Sequence, residues 1–173
     1  MTGLEIKQYA EAYLDEGVED ADALKAINRA LSLMGDTALV QDEVVIEAEA
    51  STWCSLPATL LTVEMVDTDD DTPYTAYQLR GQKIRFADAG TYTVYYRRLP
   101  SSITSLNATP EVHAAYHQCI VTYLVSWWKL TDDDESPDGL RNDRVFKEDV
   151  MRVFNTLRRN RRSPDMKVIR SAG

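Results

Sequence analysis

The sequence contains two histidines, and their spacing is one that can hold a metal ion. His113 and His117 are at positions i and i+4, so on an α-helix both imidazoles would lie on one side. A zincin site also needs a glutamate directly after the first histidine, where this chain has Ala114. Cys119 would face another side of the helix. We therefore interpret both histidines as polar residues in the first turns of a helix, and we keep a small metal-dependent enzyme as an alternative.

The acidic run from Asp132 to Glu135 is similar to the first half of a calcium-binding loop. Such a loop needs a glycine at its sixth position, where this chain has Pro137, and a glutamate at its twelfth, where it has Asp143. We interpret the run as a solvated connection between two helices. The acidic run at 69–71 is interpreted in the same way, as a hairpin turn.

The chain contains no nucleophile elbow, phosphate-binding loop or dinucleotide-binding glycine pattern. Cys54 and Cys119 have no charged partner visible in the sequence, so each is interpreted as an apolar thiol. The spacing of the carboxylates singles out no acid/base pair. The sequence therefore predicts that the protein is not an enzyme and binds no cofactor or metal.

Basic residues are concentrated at the C-terminal end of the chain, and they make up the main candidate binding segment: Arg158, Arg159, Arg161, Arg162, Lys167 and Arg170. Three interpretations are open: a solvated helix end, a nucleic-acid patch, or docking on an acidic protein surface. Nucleic-acid patches often interleave aromatic residues with basic ones, which this segment does not do. The density of arginine favours docking on a protein. Among the aromatic residues, Trp53 and Trp127 are predicted to lie in contacts between subunits.

The charge of the chain is unevenly distributed. The 173 residues have a net charge of −9, but residues 1–79 carry −14 and residues 80–173 carry +5. The overall charge argues against a protein that binds DNA phosphates over its whole surface. No apolar run approaches the length of a membrane span. Two cysteines exclude a disulfide scaffold.

The pattern of elements predicts a mainly α-helical protein of the α+β class. Residues 1–38 and 101–162 are predicted to form a helical body of about four helices. Residues 39–100, with short alternating segments separated by turns, predict a small antiparallel sheet inserted between the second and third helices. Residues 163–173 are predicted to be a flexible C-terminal tail.

Four helices are predicted from apolar periodicity and end signals. Thr2 and Glu5 have the spacing of a capping box at the start of the first helix, and Gly35 is predicted to end the second helix. Thr109 and Pro110 predict the start of the third helix, and the fourth is predicted over 140–160. Residues sharing an apolar face are predicted to be Leu4, Tyr9, Tyr13 and Leu14 in the first helix, Leu24, Ile27, Leu31 and Met34 in the second, and Val145, Val150, Val153, Phe154 and Leu157 in the fourth.

Three stretches together resemble the head–tail connector, or adaptor, family of tailed bacteriophages. The first is the early helical segment 23–31. The second begins at Trp53-x-x-Leu56-Pro57 and continues through Ile84-Arg85-Phe86 to Gly90-x-Tyr92-x-Val94-x-Tyr96-x-x-x-Pro100. The third is Pro110-Glu111-Val112-His113-x-x-Tyr116-His117, followed by a long helix, the acidic break and Val145-Phe146-x-x-x-Val150-x-x-Val153-Phe154.

This resemblance implies a structural protein of the virion, located at the head–tail junction and in the host cytoplasm during assembly. Its copies would form a ring, commonly of twelve, that binds the portal and a downstream stopper or tail-completion protein. Double-stranded DNA would pass through as cargo, and no membrane would be involved. The C-terminal segment from about Arg158 would reach onto the portal. Another neck or tail-completion protein, or a nucleic-acid-binding module, stays open as an alternative.

Overall fold

The computed structural model describes residues 1–162, and side chains through Arg159. The predicted tail at 163–173, with Lys167 and Arg170, lies outside the described residues. The chain forms two compact units. One, the helical unit, comprises Met1–Ala38 and the chain from Ser102. The other, the β unit, is Leu39–Ser101 and is continuous in sequence.

The helical unit is built around a central helix. Its elements are α1 (Gly3–Leu14), α2 (Asp20–Met34), α3 (His117–Asp132) and α4 (Pro137–Arg162), with short 3-10 turns at Gly35–Ala38 and Ala114–Tyr116. Helix α3 packs against each of the other three helices, as expected for its wide apolar arc. Among residues 1–162, no helix combines the length and the apolar character that crossing a membrane requires.

The start of α1 confirms the capping box, but its predicted apolar face is wrong. The hydroxyl of Thr2 accepts from the Glu5 N–H at 3.2 Å, and the Glu5 carboxylate accepts from the Thr2 N–H at 2.8 Å. The predicted residues Leu4, Tyr9 and Tyr13 are exposed, and Leu14 is half-buried. The core instead receives Gly3, Ile6 and Ala10.

A close backbone approach explains which face of α1 is buried. The N–H groups of Gly3 and Leu4 donate to the carbonyls of Ala108 and Leu106, at 2.9 and 2.7 Å. A Cβ at Gly3 would lie only 3.1 Å from the Leu106 Cα. The glycine therefore lets this side of α1 lie against a loop that is distant in sequence, and the opposite side, with both tyrosines, stays in solvent.

Helix α2 follows its predicted periodicity. Ile27, Leu31 and Met34 are buried, and Leu24 is half-buried against the same core. The helix ends at Gly35, which has a positive φ of 47° that glycine adopts without a Cβ clash.

Helix α3 starts later than predicted. Thr109 and Pro110 do not begin it; the helix begins at His117, after the turn at Ala114–Tyr116. Pro110 is buried, and the preceding carbonyls of Leu106 and Ala108 bond the start of α1. The chain is therefore held in turns and bends here by tertiary contacts that override the local capping signal.

Helix α4 is longer than predicted because it begins at Pro137 rather than at residue 140. Phe146 and Val150 are its buried hydrophobic side chains, while Val145 is half-buried. The remaining predicted core positions, Val153, Phe154 and Leu157, are also half-buried. The predicted residues therefore lie on the inward side of α4, but the prediction omits Phe146. The ring centroid of Phe146 lies 4.9 Å from that of Tyr123.

The β unit contains two antiparallel three-stranded sheets rather than the single sheet predicted. The strands are β1 (Val40–Ala48), β2 (Trp53–Ser55), β3 (Thr62–Thr68), β4 (Tyr77–Leu79), β5 (Lys83–Phe86) and β6 (Gly90–Arg98). The strand orders are β1–β6–β3 and β2–β5–β4. Val40 pairs with Arg98, so the unit begins and ends at neighbouring positions. Its core contains aliphatic and aromatic side chains, and the Phe86 and Tyr92 rings are stacked with their centroids 4.0 Å apart.

Candidate functional site and interaction surfaces

The two histidines do not share a helix face. His113 has an extended backbone, with ψ 139°, and its Nδ1 accepts from the Ala115 N–H at 3.2 Å. His117 is buried at the first position of α3, where its Nδ1 lies 2.7 Å from the Met1 amino group. Burial lowers the pKa of His117, and the positive charge of that amino group lowers it further. The imidazole is therefore held in its neutral form.

The described residues contain no group of three histidines, cysteines or carboxylates that could hold a metal ion. The acidic run after Asp132 is an exposed connection from α3 to α4, in which the Glu135 N–H donates to the Asp133 carboxylate at 3.1 Å. Cys119 is buried, and burial raises the pKa of its thiol, which keeps the thiol protonated and unreactive. The two histidines, the acidic run and Cys119 are therefore each explained by local contacts of the fold.

Trp127 is half-buried on α3 and already has neighbours within the helical unit. The Lys25 Nζ lies 5.8 Å from the centroid of its ring, within the range of a cation–π contact. The adjacent Trp128 donates from Nε1 to the Glu16 carboxylate at 2.7 Å. Each ring therefore retains a partly exposed edge beside charged groups.

Trp53 lies on β2 at the edge of a concave surface of the β unit. The guanidinium carbon of Arg85, its cross-strand partner, lies 5.1 Å from the centroid of the indole. The pocket, which we call the Trp53 pocket, has a volume of about 520 Å³ and is lined by Trp53, Ser55, Leu56, Ala58, Arg80, Gln82 and Lys83. It combines an apolar floor with two exposed cations and no carboxylate, so it suits an anionic group.

The sequence predicts Trp53 as a contact residue, but the basic residues beside it were not predicted. Arg80, Lys83 and Arg85 lie within six positions of one another, with no acidic residue between them. That local concentration of positive charge is a signal in the sequence. The sequence does not show that these cations lie beside Trp53. That placement follows from the strand register, which puts Ser55 opposite Lys83 and Trp53 opposite Arg85.

The arginine segment begins on the last part of α4. Arg158 and Arg159 are exposed, directly after Leu157, which packs against the helical core. Arg161 and Arg162 belong to the same helix, but their side chains are outside the described part. Because the core anchors Leu157, Arg158 and Arg159 directly after it are presented from a fixed point on the helical unit.

A groove that the sequence did not suggest runs over α3 between α1 and α4. It has a volume of about 380 Å³, and its apolar surface comes from Val121, Val125 and Val145. The exposed Tyr13 ring lies at one rim, and Lys129 and Asp138 form an ion pair of 3.4 Å at the other. Its polar lining carries both signs of charge, so charge does not select an occupant.

Comparison of the chain with protein-family models gives no match, and comparison with curated protein sequences gives none either.

Proposed function

We propose that the protein is a head–tail connector of a tailed bacteriophage, a structural component of the virion that acts without a cofactor. Its copies would form a ring, commonly of twelve, under the portal and extend the DNA channel toward a stopper or tail-completion protein. The observation that carries this proposal is the arrangement of elements. A continuous β unit is inserted between two helix pairs, and the last helix carries exposed arginines into the C-terminal segment.

The exposed apolar side chains of the helical unit support a role in assembly. Tyr9 and Tyr13 are 55% and 65% exposed on α1, while Leu140 and Met151 are 54% and 48% exposed on α4. Aromatic residues and methionine are enriched in protein interfaces relative to other surfaces. Contacts with neighbouring copies or with the portal would cover these side chains.

The arginines of α4 support attachment to an acidic protein surface. Arg158 and Arg159 are exposed, and Arg161, Arg162, Lys167 and Arg170 follow in sequence. In a ring, each copy would repeat the same weak contact, so the combined attachment would be much stronger than any single one. The C-terminal segment would therefore bind the portal.

Binding to the portal encoded with this protein tests the proposal. We expect native mass spectrometry to show a ring of this chain on the portal oligomer. R158E/R159E should weaken that binding by tenfold or more. R141E/R152E is the matched control, since it reverses two exposed charges on the same helix, about 100° around the axis from Leu140 and Met151. The control should fold and bind like the wild type, because a surface ion pair contributes only about 0.2–1 kcal/mol to stability.

Two results would contradict the proposal. One is a wild-type chain that forms no complex with the portal at micromolar concentrations. The other is an equal loss of binding in R158E/R159E and in the control, which would indicate a dependence on net charge alone. Stoichiometric zinc or manganese in the purified protein would instead favour the metal-dependent alternative.

A further inference from the structure

The two cations that line the Trp53 pocket, Arg80 and Lys83, differ from Arg97 and Arg98 of the same unit. Arg97 and Arg98 are paired with Glu64 and Asp42, at 2.6 and 2.7 Å. Among the described residues, the Arg80 and Lys83 side chains have no ion-pair partner, although both are exposed. An unpaired basic rim around an apolar floor is the surface expected to bind a carboxylate-bearing partner.

The β unit also presents a compact acidic surface, the turn Asp69–Asp71 between β3 and β4. All three carboxylates are exposed and, within the described part of the chain, none of them forms an ion pair. The turn is closed by a bond from the Thr68 N–H to the Thr72 carbonyl at 2.9 Å and by one from the Asp71 N–H to the Thr68 carbonyl at 3.0 Å. Because the backbone is already ordered, binding through this turn loses little conformational entropy.

The acidic turn and the Trp53 pocket lie at opposite ends of the β unit. Next to the turn, Thr68 pairs with Tyr92 near the start of β6. Next to the pocket, the Gln82 amide donates to the Leu60 carbonyl, and the Leu61 N–H donates to the Arg97 carbonyl near the end of β6. From Tyr92 to Arg97 an extended strand covers about 17 Å. The turn of one copy is therefore directed away from its own pocket.

We propose that the Asp69–Asp71 turn of one copy binds the Trp53 pocket of a second copy. This inference rests on the proposed ring, because two different faces of each subunit are then joined head to tail. The aspartates would pair with Arg80 and Lys83 at the rim, and the turn would cover the indole of Trp53. Such rim-exposed pairs are screened by salt, so the contact weakens as ionic strength rises.

A charge-swap experiment tests this contact. R80E/K83E and D69K/D70K each leave like charges on both faces, so each should reduce self-association by at least tenfold in sedimentation equilibrium at low salt. An equal mixture of the two variants should restore association, because each interface then joins opposite charges. E43K/E47K is the matched control, as it changes the same amount of charge at exposed positions of β1. It should associate like the wild type.

Zero-length carbodiimide cross-linking gives a direct second measurement. In a mixture of ¹⁴N- and ¹⁵N-labelled wild-type chains, with and without portal, we expect mixed-isotope cross-links between Lys83 and the Asp69–Asp71 turn. Unchanged melting temperatures would show that the variants are folded. Mixed-isotope links absent under both conditions, or a variant mixture that fails to regain association, would overturn the inference.

Two further outcomes separate this contact from its alternatives. If R80E/K83E loses duplex DNA binding while D69K/D70K keeps both DNA binding and self-association, the pocket binds phosphate and the inference is wrong. The swap is measured without portal, whereas R158E/R159E is measured on portal. If the chain does not bind the portal but the charge-swap variants lose and regain self-association as expected, only the proposed function is contradicted. If the portal complex forms but the charge-swap variants self-associate like the wild type, only this contact is contradicted.

Discussion

The helical unit and the β unit stabilise their interiors by different means. The helical unit brings together two stretches that are far apart in sequence, and small residues such as Ala23, Ala26 and Ala30 are fully buried where its helices meet. The β unit is one continuous stretch whose interior combines aliphatic side chains such as Ile84 and Val94 with one stacked ring pair, Phe86 on Tyr92, and the tilted Tyr74 ring beside it. The stability of the helical unit therefore depends on contacts between residues distant in sequence. The stability of the β unit depends on the register in which its strands pair.

Polar contacts join the two stretches of the helical unit. The Asn28 side chain accepts from the Ile103 N–H at 2.8 Å and donates to the Ile103 carbonyl at 3.0 Å. The Tyr116 hydroxyl donates to the Thr37 carbonyl. These bonds satisfy backbone groups that burial would otherwise leave unpaired.

Removing one large core side chain from each unit should have the largest effect. F86A should destabilise the β unit by about 3–5 kcal/mol, and L124A should destabilise the helical unit by about 2–5 kcal/mol, because both side chains are fully buried. Hydrogen exchange read by mass spectrometry should show F86A accelerating exchange within 40–98 and L124A accelerating it in α1–α4. Equal acceleration in both units by either variant would contradict the division into separate cores.

Removing the Asn28 side chain should have an intermediate effect that is confined to the helical unit. N28A leaves the Ile103 N–H and carbonyl without partners, so we expect a loss of about 2 kcal/mol in the free energy of unfolding. N155A, at an exposed position of α4, is the control and should change stability by less than about 0.5 kcal/mol. If the two alanine variants unfold at the same denaturant concentration, Asn28 does not join the two stretches.

Lowering the pH should have the smallest effect, and it should distinguish the units. Both histidines of the chain lie in the helical unit, and burial lowers the pKa of His117 below its usual 6.5. Below pH 6.5 the unfolded state therefore binds more protons than the folded state, so the stability of the helical unit falls as the pH falls. The slope approaches at most about 1.4 kcal/mol per pH unit.

Chemical denaturation between pH 7.5 and 5.5 would measure this slope. H117N should flatten it, whereas H113N should leave it in place because His113 is exposed. Hydrogen-exchange protection factors in 40–98, which correct for the pH dependence of intrinsic exchange, should show no comparable change over that interval, since the β unit contains no histidine. A slope that survives in H117N would assign the effect to another group.

Local patterns predicted several elements because neighbours in sequence supply the relevant contacts. The capping box of Thr2 and Glu5 needs only one helical turn. The spacing of Ile27, Leu31 and Met34 defines one face of α2 whatever lies against it. The α+β class, with strands between two helix pairs, also follows from changes in periodicity along the chain.

Other features could not be predicted in this way. Thr109 and Pro110 carry an ordinary start signal, yet Pro110 is buried in an irregular segment of turns and bends that bonds α1. The tyrosines of α1 have the periodicity of a core face, but Gly3 allows the other side to approach the loop at Leu106. In both places a contact between distant residues outweighs a weak local preference.

The sequence by itself determined the periodicity of the helices, the order of the elements and the uneven distribution of charge. It also predicts that Trp53 and Arg158 lie in interfaces. Only the tertiary structure decided which face of α1 is buried, that the strands form two sheets, and that Arg80, Lys83 and Trp53 share one pocket. The physical reason is that register and packing join residues whose separation along the chain carries no information about their distance in space.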